Sequence, residues 1–411
     1  MVVLREDANA LIRAALTAAM PDAAVQRALE KADFASGRIV LIAAGKAAWQ
    51  MAKAACDTLG SRITGGVVIT KYDHSKGELP NLVIYEAGHP VPDENSFKGT
   101  QAAIDAVSGL TAEDTVLFLL SGGGSALFEK PLIPKQDLEK LTQELLASGA
   151  SITEMNTVRK RFSAVKGGRF AELCRPARVF SIILSDIIGD PLDMIASGPA
   201  YPDASTCADA KEVARKYSLT LSPHMRELLD QETPKHLTNV ETHVTGSVRQ
   251  LCLAAADAAR SLGYNPQILT ASLCCTARDA GSMLAEIARY HQDTKESLAF
   301  IMGGETVVHL TGHGKGGRNQ ELALAAAPAI SGFRNTAIFS VGSDGTDGPT
   351  DAAGGYVDGN TNSRLNEKGL DVFDILQEND AYHALSAVDG LIVTGPTGTN
   401  VNDFCALLIR R

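Results

Sequence analysis

The last quarter of the sequence combines glycines with charged side chains more densely than any other part. Gly304 and Glu305 precede a stretch that carries Lys315 and Arg318, and Asp344 follows in another glycine-rich segment. Glycine leaves backbone N–H groups uncovered, and a guanidinium can stabilise the charge on a transferring phosphoryl group. The carboxylate of Asp344 could accept the proton of an attacking hydroxyl or bind a metal. These residue types predict a site for a nucleotide triphosphate and a metal.

Two earlier segments combine glycine with residues that can bind an anion. Lys46 follows Gly45 where a strand pattern ends and a helix pattern begins. Backbone N–H groups at a helix start attract anions, and a lysine adds positive charge there. The other segment has three consecutive glycines between two serines, and its members are Ser121, Gly122, Gly123, Gly124 and Ser125. The alternative is an exposed lysine for the first segment and a tight turn for the second, but both segments favour a phosphate cradle.

A basic stretch and an acidic loop follow in the middle of the chain. Asn156, Arg159 and Lys160 lie in the one strongly basic segment of an acidic protein. This segment is either a solvated helix face or an anion site. Asp186 and Asp190 follow a buried strand pattern. Carboxylates at a strand end can hold Mg²⁺, act as bases or cap a helix, and an aspartate before proline can belong to a turn.

A literal GxGxxG motif runs from Gly312 to Gly317 and would indicate a dinucleotide-binding oxidoreductase. It comes so late that only about 100 residues remain for the rest of a double βαβαβ unit. Lys315 and Arg318 also give its loop more positive charge than a pyrophosphate needs. Neither a Walker loop nor a GxSxG hydrolase elbow occurs in the chain. The motif is therefore a weaker indication than the phosphate-binding pattern.

Strands and helices alternate along the first half of the sequence. The predicted strands there are 38–44, 66–70, 82–86, 115–120 and 178–184, and the predicted helices are 46–59, 95–110, 136–148 and 153–174. Strands that are apolar on both faces predict an α/β fold with a parallel sheet covered on both sides. Prolines weaken the pattern between about residues 200 and 237, and we predict a domain boundary near residue 235. Further strands are predicted at 241–245, 267–271, 298–303, 306–311, 337–341 and 391–394.

The composition limits the classes of partner. The chain has 411 residues, of which 45% are hydrophobic and 21% charged, and its net charge is −10. This charge argues against nucleic acid as the main partner. The seven cysteines are scattered and show no CxxC spacing, which favours a reducing compartment over a disulfide framework or a zinc cluster. We find neither a signal peptide nor an apolar run long enough for a bilayer, and therefore expect a cytoplasmic protein without a membrane partner.

Eight motifs together resemble glycerate 2-kinases of the MOFRL type, and they cover nearly the whole chain. Four of them read AAGKAAWQMAKA, LSGGGSALFEKP, GGETVVHLTGHGKGGRNQELAL and VGSDGTDGPTDAAGG, and the others are EAGHPVPDENS, EMNTVRKRFSAVKGGRFAE, SIILSDIIGDPLDMIASGPAYPD and TGPTGTNVNDF. The resemblance implies an N-terminal Rossmann-like domain over residues 1–235, with a parallel sheet sandwiched by helices. It also implies a smaller C-terminal α/β domain over 236–411 and an active site in the cleft.

The resemblance further implies transfer of the ATP γ-phosphoryl group to the 2-hydroxyl of D-glycerate, with Mg²⁺. The family's catalytic residues correspond to Lys46, Arg318 and Asp344, each within its matching motif. Beyond these we assign three sets of residues by hypothesis. Nucleotide phosphate is assigned to 121–125, Gly304, Glu305 and Lys315. D-glycerate is assigned to Asn156, Arg159 and Lys160, with Arg159 or Lys160 holding its carboxylate, and Mg²⁺ is assigned to Asp186 and Asp190. Two other functions stay open: an NAD(P)H-dependent hydroxypyruvate reductase, which some family members are called, and a sugar-acid sensor without turnover. The oligomeric state also stays open, with a homodimer as one option.

Overall fold

The computed structural model describes residues 2–30, 32–34, 36–185 and 192–411. Its strands are β1 (Ile39–Ala44), β2 (Ile63–Lys71), β3 (Leu82–Ala87), β4 (Thr115–Leu120), β5 (Arg178–Leu184), β6 (Val240–Gly246), β7 (Asn265–Leu273), β8 (Leu298–Gly304), β9 (Thr336–Gly342), β10 (Gly354–Asp358), β11 (Leu391–Ile392) and β12 (Asp403–Ile409). Its α-helices are α1 (Val2–Ala19), α2 (Pro21–Leu29), α3 (Ala48–Leu59), α4 (Glu94–Ala106), α5 (Gly124–Leu127), α6 (Lys135–Ala147), α7 (Ile152–Arg159), α8 (Arg169–Leu173), α9 (Cys207–Lys216), α10 (Pro223–Leu229), α11 (Val248–Ser261), α12 (Ala277–Tyr290), α13 (Arg318–Ala326), α14 (Thr361–Glu367), α15 (Val372–Gln377) and α16 (Ala381–Ala387). None of these helices combines the length and the apolar character that crossing a bilayer requires.

Contacts between residues divide the described chain into two compact units. The N-terminal unit contains residues 24–185 and 192–245, and the C-terminal unit contains residues 2–23 and 246–411. The predicted domain division after residue 235 stays a prediction. The compact units change after residue 245, and the first residues of the chain belong to the C-terminal unit.

The N-terminal unit is built on a six-stranded sheet in the order β3-β2-β1-β4-β5-β6. The pairs β3-β2, β2-β1, β1-β4 and β4-β5 are parallel. Every residue of β1 and β4 is buried, which explains why both strands are apolar on both faces. The chain order reverses between β1 and β4, and ligands of such sheets bind beyond the strand ends at this switch point.

Helices cover both faces of this sheet. On one face, Met51 and Ala55 of α3 pack in a cluster with Leu41 of β1. On the other face, Phe118 of β4 contacts Phe170 of α8, with ring centroids 5.1 Å apart. This two-sided burial is the physical basis of the predicted parallel sheet.

The C-terminal unit contains a second sheet, in the order β11-β10-β9-β12-β8-β7. Only the β7-β8 pair is parallel among the pairs described, and the other neighbours are antiparallel. The last strand of the chain, β12, lies between β8 and β9 and is buried along its whole length. The predicted α/β class, with a parallel sheet in one part and a further α/β part, is confirmed.

The first helix of the chain packs within the C-terminal unit. Leu11 and Ala15 of α1 share an apolar cluster with Leu251 of α11. Buried Asp7 accepts a hydrogen bond of 2.6 Å from the hydroxyl of Tyr264 and also pairs with Arg410. Sequence periodicity cannot reveal this association because it joins the two ends of the chain.

Two predicted elements are wrong. The helix predicted over 153–174 ends at Arg159 and continues only as a 3-10 turn over 160–162, because Ser163 has an extended backbone; Gly167 and Gly168 follow with positive φ angles of 60° and 83°. Only α8 follows them. The strand predicted over 306–311 is irregular apart from a single bridge between Thr276 and Val307. The sequence analysis also did not predict β10 and β12.

A buried ion pair supports the loop that follows β4. The Lys166 ammonium lies 2.8 Å from the Glu129 carboxylate, and both side chains are almost fully buried. Lys166 also donates to the carbonyl oxygens of Ser125 and Phe128, at 2.8 and 3.3 Å. Burial lowers the pKa of Lys166, and Glu129 opposes this effect. The pair therefore fixes the backbone directly after the triple glycine.

We predict that Glu129→Gln lowers the free energy of unfolding by about 3–5 kcal/mol, because it leaves the buried ammonium without its counter-charge. The matched control is Asp57→Asn, which breaks the exposed Lys53–Asp57 pair on α3. This control should cost less than about 0.5 kcal/mol. Urea denaturation of both variants measures the two values, and similar losses would contradict the role given to the buried pair.

Candidate active site

Lys46 is held at the carboxyl end of β1 by the loop that follows β4. Its backbone N–H donates to the Gly122 carbonyl at 2.9 Å, and the next N–H donates to the Ser121 hydroxyl at 3.0 Å. Gly45 has a φ of 128°, and a Cβ there would lie 2.2 Å from the Ser121 Oγ. The glycine before Lys46 is therefore required by the close approach of the two loops.

The triple-glycine loop lies at the switch point of the parallel sheet. Gly122 and Gly123 are half-buried, whereas Ser121 and Gly124 are buried. Ser121 accepts a backbone hydrogen bond within the fold, and the Ser125 hydroxyl lies 3.5 Å from the Ser197 hydroxyl. Phosphate binding by residues 121–125 stays a prediction, and Gly122 and Gly123 are the members with backbone partly open to solvent.

Asn156 and Lys160 of the basic stretch form polar contacts within the fold, whereas Arg159 forms fewer. Buried Asn156 accepts a hydrogen bond of 2.9 Å from the Ser197 hydroxyl. Lys160 is buried and lies 3.1 Å from the Asp203 carboxylate and 3.5 Å from that of Asp193. Arg159 is half-buried and forms no ion pair within the described residues, and its Nε is buried without a hydrogen-bond partner. The assignment of these residues to the glycerate carboxylate stays a prediction, and Arg159 is the member least used by the fold.

Asp203, the carboxylate nearest to Lys160, is held in its charged form by its surroundings. Burial raises the pKa of Asp203, but Lys160 and hydrogen bonds from Thr233 and Ser205 outweigh this effect. The net pKa of Asp203 is therefore below its usual value, and the carboxylate stays charged opposite the buried ammonium.

In the C-terminal unit, Arg318 begins α13 and is held by two carboxylates. Its Nε and Nη2 donate to Asp403 at 2.6 and 3.1 Å, and its Nη1 donates to Glu305 at 2.7 Å. Burial alone would lower the pKa of Arg318, but these acids raise it. Glu305 was predicted to contact phosphate; here it contacts the arginine. Sequence reasoning did not select Asp403, although it lies within the quoted motif TGPTGTNVNDF.

Two aspartates follow β9 and differ in environment. Asp344 is half-buried, and its Oδ1 accepts hydrogen bonds from the backbone N–H and the hydroxyl of Thr346, at 2.9 and 3.1 Å. Asp347 is only 3% exposed and accepts the backbone N–H groups of Asn319 and Gln320, at 3.1 and 2.9 Å. Burial raises the pKa of Asp347 to about 6. Asp347 therefore fixes the first turn of α13, next to Arg318.

A pocket of about 860 Å³ lies within the C-terminal unit. Arg318, Glu305 and Asp344 line its charged side. Its other lining residues include an apolar group, consisting of Val307, Val308 and Leu310, and four glycines, Gly312, Gly314, Gly316 and Gly317. This volume is within the usual range for ligand sites and suits a nucleotide better than a three-carbon acid.

Lys315 and Gly304, both predicted to bind phosphate, have partners within the fold. The Lys315 ammonium lies 4.3 Å from the centre of the Tyr382 ring, and its backbone N–H donates to Asp380 at 2.9 Å. A Cβ on Gly304 would lie 2.2 Å from the Leu273 carbonyl oxygen. Their phosphate roles stay predictions.

The GxGxxG segment is glycine-rich for reasons of packing. A Cβ on Gly312 would lie 2.3 Å from the Glu378 Cα, and one on Gly314 would lie 2.4 Å from the Asp380 Cβ. The segment also does not follow a strand directly, because residues 306–311 are irregular. Both observations remove the context that a dinucleotide-binding fingerprint requires.

The predicted metal ligands Asp186 and Asp190 lie outside the described residues. Among the residues that are described, no group of three or more His, Cys, Asp or Glu side chains is arranged to hold a metal ion.

Comparison with known proteins identifies relatives along the whole chain. Residues 7–230 match a family described as a domain of unknown function (DUF4147), and residues 298–403 match the MOFRL family. A D-glycerate 2-kinase from Thermotoga maritima is 52% identical, over 99% of this chain and 98% of that protein. A protein from Agrobacterium vitis called a putative hydroxypyruvate reductase is 40% identical, over 91% of this chain and 100% of that protein.

The structural comparison agrees with the sequence comparison. A crystal structure of glycerate kinase from Thermotoga maritima is similar to this chain with a TM-score of 0.94. The two are 50% identical, and the match covers 100% of each chain. The chain therefore belongs to the MOFRL-type glycerate kinase family.

Proposed function

We propose that the protein is an ATP-dependent kinase that transfers the γ-phosphoryl group to the 2-hydroxyl of D-glycerate, giving 2-phosphoglycerate and ADP. The observation that carries this proposal is the 52% identity to a D-glycerate 2-kinase over 99% of the chain. Lys46, Arg318 and Asp344 support it, because each lies at a strand end or helix start where a ligand can be reached.

Arg318 is proposed to stabilise the charge on the transferring phosphoryl group. A guanidinium has five N–H donors, and the two carboxylates around Arg318 use three of them. Two donors are left for a ligand. Asp403 holds one edge of the guanidinium through Nε and Nη2, and Glu305 holds Nη1, so the arginine is oriented before a substrate arrives.

Lys46 and Asp344 are proposed to act on the phosphoryl group and on the acceptor, respectively. The loop contacts of Lys46 fix its backbone, so that its ammonium extends from a defined point beyond β1. Asp344 has its hydrogen bonds on Oδ1, which leaves Oδ2 without a partner among the described residues. That oxygen is proposed to orient or deprotonate the 2-hydroxyl.

ATP is the proposed phosphoryl donor, and Mg²⁺ is expected to accompany it and offset phosphate charge. Kinases hold Mg²⁺ with one or two carboxylates plus phosphate oxygens, so a prebuilt cage of protein ligands is not required. Asp186 and Asp190 remain the residues proposed to hold it.

The nucleotide is proposed to bind in the pocket of the C-terminal unit. Leu310 and Val307 are 83% and 52% exposed, which is unusual for large apolar side chains, and both line that pocket. An adenine ring placed against them would cover this apolar surface, and the phosphates would extend toward Arg318.

The proposed partners are the two small-molecule substrates, and the cytoplasm is the proposed compartment. A reductase is disfavoured because Gly312 and Gly314 of the GxGxxG segment pack closely against residues 378–380. A homodimer remains a prediction.

The first prediction from the proposed function concerns product identity. Incubation with D-glycerate, ATP, Mg²⁺ and enolase should yield phosphoenolpyruvate without added mutase, because enolase acts on 2-phosphoglycerate. Arg318→Met and Asp344→Asn should lower kcat by at least about 100-fold. ADP without phosphoenolpyruvate would indicate the 3-hydroxyl or another acceptor, and oxidation of NADH with hydroxypyruvate would indicate the reductase instead.

A second prediction tests the nucleotide pocket. Leu310→Asp should raise the KM for ATP about tenfold, since apolar contact with the base is worth about 1.5 kcal/mol. The KM for D-glycerate should not change. Leu269→Asp is the matched control, because Leu269 is 41% exposed on β7 and does not line the pocket. An unchanged KM for ATP in Leu310→Asp would place the base elsewhere.

A third prediction concerns Asp347 and pH. Its folded pKa of about 6 exceeds the usual 3.8, so the folded state binds this proton more tightly than the unfolded state does. The resulting stabilisation is full below pH 3.8 and is lost as the pH rises through about 6. At 1.36 kcal/mol for each pKa unit, the loss amounts to about 3 kcal/mol.

Asp347→Asn removes this titration. Between pH 4 and pH 7, the wild type should therefore lose about 2.4 kcal/mol more unfolding free energy than the variant, since part of the full effect is already lost at pH 4. Urea denaturation across that range measures the difference, and the other titrating groups cancel between the two proteins. Parallel pH profiles would show that burial does not perturb this carboxyl.

A further inference from the structure

Basic residues lie at, or two residues beyond, the ends of three neighbouring strands of the N-terminal sheet. Ala44 of β1 pairs with Ile69 of β2, so Lys46 and Lys71 each lie two residues beyond that pair. Lys71 in turn pairs with Ala87 of β3, and His89 lies two residues beyond Ala87. Adjacent strands are about 4.8 Å apart, so the register alone brings the three residues to one end of the sheet.

Contacts at the loops confirm this convergence. A Cβ on Gly123 would lie 3.0 Å from His89 Cδ2 and 3.2 Å from Lys46 Cγ, so these two side chains flank the same glycine. The His74 ring lies 3.1 Å from the Lys46 carbonyl oxygen, and the His74 N–H donates to the Lys71 carbonyl. The basic cluster is defined as Lys46, Lys71, His74 and His89, and two of its members, Lys46 and His89, flank Gly123 of the triple-glycine loop.

The two lysines of the basic cluster form no ion pair among the described residues. Neither Lys46 nor Lys71 has a carboxylate within 4.0 Å in the described part of the chain. Burial lowers the pKa of His89, and Lys46, Lys71 and His74 lower it further. This arrangement contrasts with Arg318 and Lys160, whose charges are paired, and it occurs in a protein with a net charge of −10.

We propose that Lys71 and His89 bind, together with Lys46, an oxyanion of a substrate at the switch point of the sheet. The oxyanion is a carboxylate or a phosphoryl group, and the half-exposed backbone of Gly122 and Gly123 completes its surroundings. The proposal rests on the proposed function, since D-glycerate and ATP are the sources of these two groups. It adds Lys71 and His89 to the residues that bind substrate. It also offers the glycerate carboxylate a site other than Lys160, which is already paired with Asp203 and Asp193.

The test uses Lys71→Met and His89→Leu in the full-length protein. Calorimetric titration with D-glycerate and, separately, with ADP measures each dissociation constant, and steady-state assays give the KM for each substrate. Each variant should weaken binding of one ligand about tenfold or more, because a charge-assisted or buried hydrogen bond to the oxyanion is lost. Lys71→Arg and His89→Gln, which keep a donor, should recover part of the affinity.

Lys76→Met is the matched control. Lys76 is exposed, lies two residues after His74, and is not among the charges that act on His89. It changes the net charge as Lys71→Met does, so unchanged affinities in this variant separate local binding from a general electrostatic effect.

The two titrations distinguish the sources of the oxyanion. A selective loss of D-glycerate affinity would assign the basic cluster to the carboxylate, and a selective loss of ADP affinity would assign it to the phosphates. Wild-type affinities for both ligands in Lys71→Met and His89→Leu would overturn the proposal. The proposed function would fail separately, if the wild type binds both ligands but forms no 2-phosphoglycerate.

Discussion

The N-terminal unit depends on the close approach of two backbones at the switch point of its sheet. β1 and β4 are neighbours, and the loops that follow them exchange hydrogen bonds through Lys46 and Ser121. A side chain on Gly45 would overlap the Ser121 hydroxyl, so the contact exists only because that position has no Cβ. The buried Lys166–Glu129 pair supports the same loop from the other side. Together these contacts fix the backbone from which the Lys46 side chain extends, and side-chain packing alone would not fix it.

Arg318 and the lysines of the basic cluster differ in how their charges are matched. Arg318 begins α13 with its charge already matched by Asp403 and Glu305, and its orientation is therefore set in advance. Lys46 and Lys71 have no such partners in the described part of the chain. A paired arginine can stabilise charge that develops during phosphoryl transfer without moving, whereas an unpaired cluster gains most when an anion arrives.

The sequence predicted the elements that depend on local pattern and missed those that depend on distant contacts. β4 and β5 were predicted with their observed bounds, because strands buried on both faces are continuous apolar runs. The helix over 153–174 was wrong because it ends at Arg159, and the chain becomes extended at Ser163 before Gly167 and Gly168 adopt positive φ angles. The packing of α1 in the C-terminal unit could not be predicted, since its partner α11 lies more than 200 residues away. Local patterns therefore identified the first sheet better than the second.

The same limit applies to the candidate site, because residue type does not show how a side chain is used. Lys46 and Lys160 are both lysines beside glycine-rich or basic motifs, yet only Lys160 is paired within the fold. Glycines are equally ambiguous: Gly122 and Gly123 leave backbone half-exposed, whereas Gly312 and Gly314 make room for residues 378–380. Strand register resolves some of this ambiguity. Lys71 lies in none of the eight motifs, and His89 lies in EAGHPVPDENS without having been selected as a site residue, but the pairing of β1, β2 and β3 places both beside Lys46. The candidate residues that gain most from the structure are therefore those whose neighbours lie on other strands.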